Sequence, residues 1–252
     1  MTAAATTSNR SSAPPRRQGR DWGRALGALR RLFADKEDTS QVFEIMRALN
    51  GPSVGKGYLQ LLHTPGGGRL AYERVELAAR LMDDAWLDSL PEGSVGAAYR
   101  EFVRGEGLSA HGLAEESRKG LADGQIDLPH PFAWYGRRIR DTHDIWHILT
   151  GYGRDSTGEL CLVAFSYSQT KSLGWALIGW GGLLKARGKG GKPYRKAVLE
   201  GFARGKAAAW LPGEDYERLL SEPLDAARRR LGINRPAAYE AIPAAARNPL
   251  AA

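Results

Sequence analysis

Sulfur and histidine are scarce in this chain: 252 residues carry one cysteine, Cys161, three methionines and five histidines. A single cysteine excludes an intramolecular disulfide and leaves too few thiolates for the usual structural zinc clusters. Any metal must therefore be held by imidazole and carboxylate, the ligand chemistry expected of a catalytic site. Long apolar runs are also missing. The most apolar stretch, Leu173 to Leu184 (LGWALIGWGGLL), is too short to cross a bilayer, and the polar residues from Ser166 to Lys171 prevent its extension. No secretory signal opens the chain, so the expectation is a protein that is soluble or bound to one membrane face. No run alternates between apolar and polar residues, which argues against a sheet.

What is present is enough apolar residue, 42%, for a sizeable core, and a formal charge of +8 with pI near 9.7. A basic surface attracts polyanions in general. Nucleic acid is the weaker partner class, because the aromatics do not interleave with the basic residues as a single-strand platform requires. Residues 1 to 20 contain no acid and no apolar periodicity. They read as a disordered bacterial tail, since a mitochondrial transit peptide would need a bulky apolar stripe.

From residue 21 to about 242 the patterns are helical. Asp21 to Phe33 spaces Trp22, Leu26, Leu29 and Phe33 at helical intervals among arginines, a basic amphipathic helix. DTSQVFEIMRALNG and RLAYERVELAARLMDDAWLDSL carry two further helical patterns, the second long and ending before Pro91. VGAAYREFVRGEGLS stops at its glycines, and PFAWYGRRIRDTHDIWHILTG predicts one long helix ending at Gly151. An unusually apolar helix starts near Ser156, a glycine-rich basic turn leads into another, and DYERLLSEPLDAARRRLGI supplies the last. The expected fold is all-α, a single multi-helix domain over 21–242 with a disordered N-terminal tail and a flexible C-terminus over 243–252. GPSVGKGY at Gly51 to Tyr58 is not a phosphate loop: it has one residue too few between its glycines, and no Ser or Thr follows Lys56. His63, His111 and His130 lie in or beside turn-like segments without paired acids and read as surface or packing residues.

The segment 137–169 differs. His143 and His147 stand at i and i+4 on one helix and share a face, with Asp144 as the i,i+3 neighbour of His147. Glu159 follows a GYGRDSTG loop that can turn the chain back and face its carboxylate toward the histidines. Ser156 and Glu159 also spell a capping box, in which Glu159 would reach back to its own helix terminus. Further on, Ser166, Gln169 and Thr170 add polar groups to an apolar helix, and Leu173, Gly174, Leu177 and Gly181 continue as small and aliphatic residues. A polar head site leading into an apolar groove would suit an amphipathic substrate. Spacing alone leaves a metal site and two ordinary helix surfaces both open.

The pattern His143-Asp144-x-x-His147, eleven residues, then Glu159 resembles the signature of the coenzyme Q (ubiquinone) biosynthesis protein 4 family. LPEGSVGAAYREF, RIRDTHDIWHILTGY, STGELCLVAFSYSQT and YERLLSEPLDAARRRLGI look like that family's segments in its order, over most of residues 38 to 235. The resemblance implies a mostly helical, peripheral membrane protein that binds a divalent metal through His143, Asp144, His147 and Glu159. Zinc is the usual assignment, with iron, manganese, cobalt and magnesium as alternatives. It also implies removal of the C1 carboxylate from a polyprenylated 4-hydroxybenzoate, and organisation of other ubiquinone-biosynthesis proteins, with a homodimer expected.

In that chemistry the metal would act as a Lewis acid, and a carboxylic acid, Asp144 or Glu159 where not tightly ligated, or a metal-bound water would deliver a proton to C1. Iron would admit an oxygen-dependent route that zinc, lacking redox states, would not. Ser166, Gln169 and Thr170 would orient the ring, and Leu173, Gly174, Leu177 and Gly181 would hold the isoprenoid tail. The helix at 21–33 and the cluster Lys185, Arg187, Lys189, Lys192, Arg195 and Lys196 would dock on anionic lipid at the cytoplasmic face of a bacterial inner membrane, or on the matrix side of a mitochondrial one. Two alternatives are a noncatalytic lipid-binding scaffold with a structural metal and, less well matched, a metal-dependent phosphohydrolase.

Overall fold

Two neighbouring residues of a helix differ by about 100° in direction, so each apolar stripe in this chain selects one face to bury. The computed structural model describes residues 19–35, 38–49, 53–105, 130–186 and 191–248. Residues 1–18 of the tail expected over 1–20, His111, Arg187, Lys189 and the last residues 249–252 lie outside them. Among the described residues the fold is all-α, with fifteen α-helices and no strand.

Helices α1 (Trp22–Ala34) and α2 (Ser40–Leu49) pack on each other, tied by the ion pair of Arg24 with Glu44 and by Asp21 N donating to the Ala48 carbonyl at 3.0 Å. The buried stripe of α1 is Ala25, Ala28, Leu29 and Leu32, while Trp22 and Leu26, assigned to it from their spacing, stay outside. Short alanines let α2 approach closely, which turns α1 by about a quarter turn from the expected face.

Next come α3 (Ser53–Leu62), α4 (Gly67–Glu73), α5 (Leu77–Leu81), α6 (Asp84–Asp88) and α7 (Val95–Gly105). The long helix expected up to Pro91 is three short ones. Arg74 takes the left-handed conformation (φ 46°) after α4, and Asp83 caps α6 by accepting from Trp86 N. The GPSVGKGY motif lies largely in α3. A Cβ on Gly57 would come within 2.5 Å of the Tyr135 hydroxyl, so this glycine serves close helix packing.

The single helix expected to end at Gly151 is interrupted at Thr142 into α8 (Pro131–Asp141) and α9 (His143–Thr150). Gly151 ends α9 in the left-handed conformation, φ 75°, as its glycine requires. Then follow α10 (Ser156–Thr170), α11 (Leu173–Ala186) and α12 (Lys192–Ala207). The final predicted helix divides at Pro223 into α13 (Tyr216–Leu220) and α14 (Leu224–Arg230), and α15 (Ala237–Glu240) closes the series.

The apolar character of α10 has a simple cause: it is enclosed on nearly all sides. Leu160, Cys161, Leu162 and Phe165 belong to the main core with residues of α5 to α7, α9 and α12 to α15. Val163 reaches into a second core formed by α1, α2 and α11. A third, smaller core joins Leu61, Leu70, Trp134 and Tyr135 of α3, α4 and α8. Across α10 lies α12, almost backbone to backbone. A Cβ on Gly201 would stand 2.5 Å from the Cys161 carbonyl oxygen, and one on Gly205 2.2 Å from the Ser168 hydroxyl. Burial pushes the Cys161 thiol well above its ordinary range, leaving a packing residue.

The C-terminus, expected to be flexible from 243, is instead bonded to the body through Asn248. Thr157 N donates to the Arg247 carbonyl at 3.0 Å, and Ser156 N to Asn248 Oδ1 at 2.8 Å. No helix among the described residues is long and apolar enough to cross a membrane.

Candidate metal centre

The site is built by α9 and α10 with the loop between them. His143 and His147 project from one side of α9, and Glu159, in the first turn of α10, meets them. The expected capping box does not form: Asp155 is the N-cap, its carboxylate accepting from Thr157 N and Gly158 N. A carboxylate one residue before the helix reaches those amides more directly than Glu159 could, and Glu159 is left for the histidines.

His147 Nε2 lies 3.3 Å from Glu159 Oε1 and 3.3 Å from His143 Nε2, and His143 Nε2 lies 3.6 Å from Glu159 Oε2. Zinc bonded at about 2.0–2.1 Å in a tetrahedron separates its ligand atoms by about 3.3–3.4 Å. The two imidazole nitrogens are thus about one tetrahedral edge apart, and each lies close to a different oxygen of the Glu159 carboxylate, so the three side chains converge on one point where an ion could be held. Three protein ligands are the number that a catalytic zinc site takes from its protein.

The imidazoles are oriented from behind. His147 is buried, and its Nδ1 lies 2.9 Å from the Tyr152 carbonyl oxygen, an acceptor only. Nδ1 must therefore carry the hydrogen, which leaves the Nε2 lone pair directed at the other two groups. The Phe102 ring stacks on His147 at 5.6 Å and Trp175 stacks on His143 at 6.3 Å. The C-terminal carbonyls of α9 are held too: Arg228 donates to those of Ile148 and Leu149, and Arg204 to that of Thr150.

Burial works to raise the Glu159 carboxyl, but the neighbouring His147 and His143 imidazoles outweigh it, holding Glu159 well below the carboxylate range. Burial works to lower the His143 imidazolium, and the hydrogen bond and charge of Glu159 reverse this and raise it. Both groups thus behave as partners across one small polar gap.

Asp144 stands outside the set of three. The residue after His143 is rotated about 100° around the helix, away from the face that His147 shares. Its charge still reaches His143 and Tyr99 of α7.

The residues assigned to substrate fall elsewhere. Gln169 is fully engaged: Nε2 donates to the Gly205 and Ala209 carbonyls at 2.6 and 3.1 Å, and Oε1 accepts from Leu211 N at 2.8 Å. Thr170 donates to the Ser166 carbonyl at 2.8 Å, and Ser166 is buried. Leu173 and Leu177 pack into the core of α1, α2 and α11. A Cβ on Gly174 would meet Met46 Sδ at 2.3 Å, and one on Gly181 would meet the Phe33 ring at 3.0 Å. This small-residue face receives α1 and α2 where an open groove was expected. Phe102, Trp175 and the Tyr152 carbonyl were not foreseen. Contacts of a backbone carbonyl and of two aromatics at other positions leave no spacing signal.

A family model described as coenzyme Q (ubiquinone) biosynthesis protein Coq4 matches residues 25–237. The chain belongs to the Coq4 family. Its members act in ubiquinone biosynthesis, and all three of the clustered side chains lie inside the match. A mitochondrial ubiquinone biosynthesis protein of Yarrowia lipolytica is 30% identical over 70% of this chain and 65% of its own length. The Bos taurus homologue is 27% identical over 76% of this chain and 71% of its own length. One from Aspergillus fumigatus is 28% identical over 70% of this chain, which spans 59% of that relative. A crystal structure of a protein from Nostoc punctiforme named for ubiquinone biosynthesis superposes with a TM-score of 0.60 at 23% identity, covering 84% of this chain and 98% of that one. That likeness shows the fold alone.

Proposed function

We propose that the protein is a metal-dependent C1 decarboxylase of a polyprenylated 4-hydroxybenzoate intermediate. The observation that carries this reading is the convergence of the His143 and His147 Nε2 atoms, 3.3 Å apart, on the Glu159 carboxylate, whose oxygens lie 3.6 and 3.3 Å from them. A divalent ion in that site, zinc by its geometry, would supply Lewis acidity toward the substrate's carboxylate or an adjoining ring oxygen. In the decarboxylation the C1–carboxylate bond breaks, its electron pair remains on the ring carbon, carbon dioxide leaves and C1 takes a proton. Asp144, outside the ligand set and within electrostatic reach of His143, is the chain's candidate to deliver that proton. Glu159, held ionised by its two imidazoles, keeps its carboxylate as a ligand. Phe102 and Trp175 bound the site with aromatic surface suited to a planar ring.

The substrate's isoprenoid tail belongs in a bilayer. Trp180 and Leu184 on α11 and Leu199 and Phe202 on α12 are exposed, close in sequence to the exposed cations Lys185, Lys192, Arg195 and Lys196. This mixture supports docking on an anionic membrane surface, cytoplasmic in a bacterium, where the chain would meet other ubiquinone-biosynthesis proteins, as a homodimer. Binding to anionic vesicles should fall steeply with salt, as cosedimentation would read; binding indifferent to ionic strength overturns the electrostatic part.

The deciding experiment uses protein purified without chelators, assayed for metal content and for carbon dioxide release from prenylated 4-hydroxybenzoate. We expect about one divalent ion per chain and release that stops on chelation and in Asp144→Asn. Tight, metal-dependent binding of the substrate without turnover would favour a scaffold instead.

A further inference from the structure

We infer that the C-terminal segment Tyr239–Asn248 is a positioning element for the cation site, acting on Glu159 through the N-terminus of α10. This rests on the metal-site reading above. The segment lies past residue 237, where the family match ends.

The first turn of any α-helix presents backbone N–H groups with no partner inside the helix. In α10 the C-terminal segment supplies an acceptor for Ser156 N and a second one for Thr157 N, which Asp155 also caps. Asn248 Oδ1 accepts from Ser156 N at 2.8 Å and from the Ser156 hydroxyl at 3.2 Å, and the Arg247 carbonyl accepts from Thr157 N at 3.0 Å and its hydroxyl at 2.7 Å. Tyr239 ties down the connecting loop. Its hydroxyl donates to Asp155, the N-cap itself, and accepts from Gly153 N at 3.0 Å. The segment is braced in turn. The Arg247 guanidinium covers the Tyr239 ring at 4.3 Å and donates to the Ile242 carbonyl at 2.9 Å, and the Tyr194 hydroxyl donates to the Ala246 carbonyl at 2.8 Å.

Everything this segment grips lies between the two ligand-bearing helices or in the four residues before Glu159. The histidines are held by the helix α9 and, for His147, by the carbonyl of Tyr152, a residue whose own peptide is bonded by Tyr239 through Gly153 N and whose ring packs on that of Tyr239 at 5.4 Å. The contacts of Arg247 and Asn248 reach only Ser156 and Thr157, on the Glu159 side. Removing those two residues should loosen Glu159 and leave the imidazole pair in place.

The test titrates the full chain with Co(II), reading its visible d–d absorption, in wild type, Asn248→Ala, Tyr239→Phe and a chain ending at Ile242. Each is made again in a Glu159→Ala background, with helicity followed by circular dichroism. In the Glu159-containing chain each change should weaken Co(II) binding by about tenfold, the lower end of what outer-shell partners of metal ligands contribute. In the Glu159→Ala background Asn248→Ala and the shortened chain should alter affinity by less than about twofold, because the group they position is gone, whereas Tyr239→Phe should keep part of its effect through the Tyr152–Gly153 peptide. For Asn248→Ala and the shortened chain, equal losses in both backgrounds, or no loss in the first, overturn the inference. If the shortened chain does not fold, Asn248→Ala decides alone. Absence of d–d absorption in wild type would overturn the metal-site reading itself, and this inference with it.

Discussion

If the proposed metal site is right, His147→Ala and His143→Ala should damage metal binding alike and stability very unequally, because the two candidate ligands are held by different means. His147 is 2% exposed and bonded to the Tyr152 carbonyl, and Phe102 stacks against it. Truncating it removes a hydrogen bond, leaves a buried carbonyl without its partner and opens a cavity, together about 3 kcal/mol. His143 has a side chain 24% exposed, with Trp175 stacked on it and Glu159 beside it. Its loss should cost about 1 kcal/mol, since a partly exposed pair contributes little. For a chain of this size, 1 kcal/mol moves the midpoint by about 2–4 °C. Thermal unfolding of the metal-free variants should therefore separate them by about 4–8 °C, with His147→Ala the lower. Calorimetric titration with zinc should show both weakened more than the 10–100-fold typical of an outer-shell partner. Equal midpoints in the metal-free state, or a zinc affinity lost in only one variant, would refute the geometry on which this rests.

Gln169→Ala should lower stability by about 3 kcal/mol, read by denaturant unfolding, because two carbonyls and one amide lose their partner together. Its metal affinity should be unchanged. Gly201→Val should destabilise by at least about 3 kcal/mol, since its side chain meets the Cys161 carbonyl, which cannot move without displacing α10. Glu44 is held below the ordinary carboxylate range by its hydrogen bond with Arg24, against the cost of burial. A depressed folded-state value adds stability above the unfolded value of about 4.3 and loses it as pH falls through the folded one. Glu44→Gln should thus be less stable than wild type at neutral pH, and chemical unfolding should find the difference gone in acid.

Much of the fold was legible because helical periodicity survives in one dimension. The starts at Ser40, Val95 and Ser156 and the ends at Leu49 and Gly105 follow from caps and glycines beside apolar stripes. Breaks inside long patterns were harder. Arg74 and Thr142 are ordinary residues, and nothing local marks the turn of chain that packing imposes there. The reading of Leu173 to Gly181 as a tail groove failed for a related reason. Small residues on a helix face permit close approach, and periodicity does not say whether lipid or another helix approaches.

Taken alone, the sequence determined the helical class, the pairing of His143 with His147 one turn apart, and the family to which the chain belongs. The first two follow from the 3.6-residue repeat and from local chemistry, the third from the likeness of its segments to those of the family. Tertiary structure decided that Glu159 joins them while Asp144 does not, that Gln169 serves the scaffold, and that the Tyr152 carbonyl selects the His147 tautomer. Each of these depends on how α10 lies against α9 and α12, an angle set by many distant contacts and encoded in no single stretch of chain.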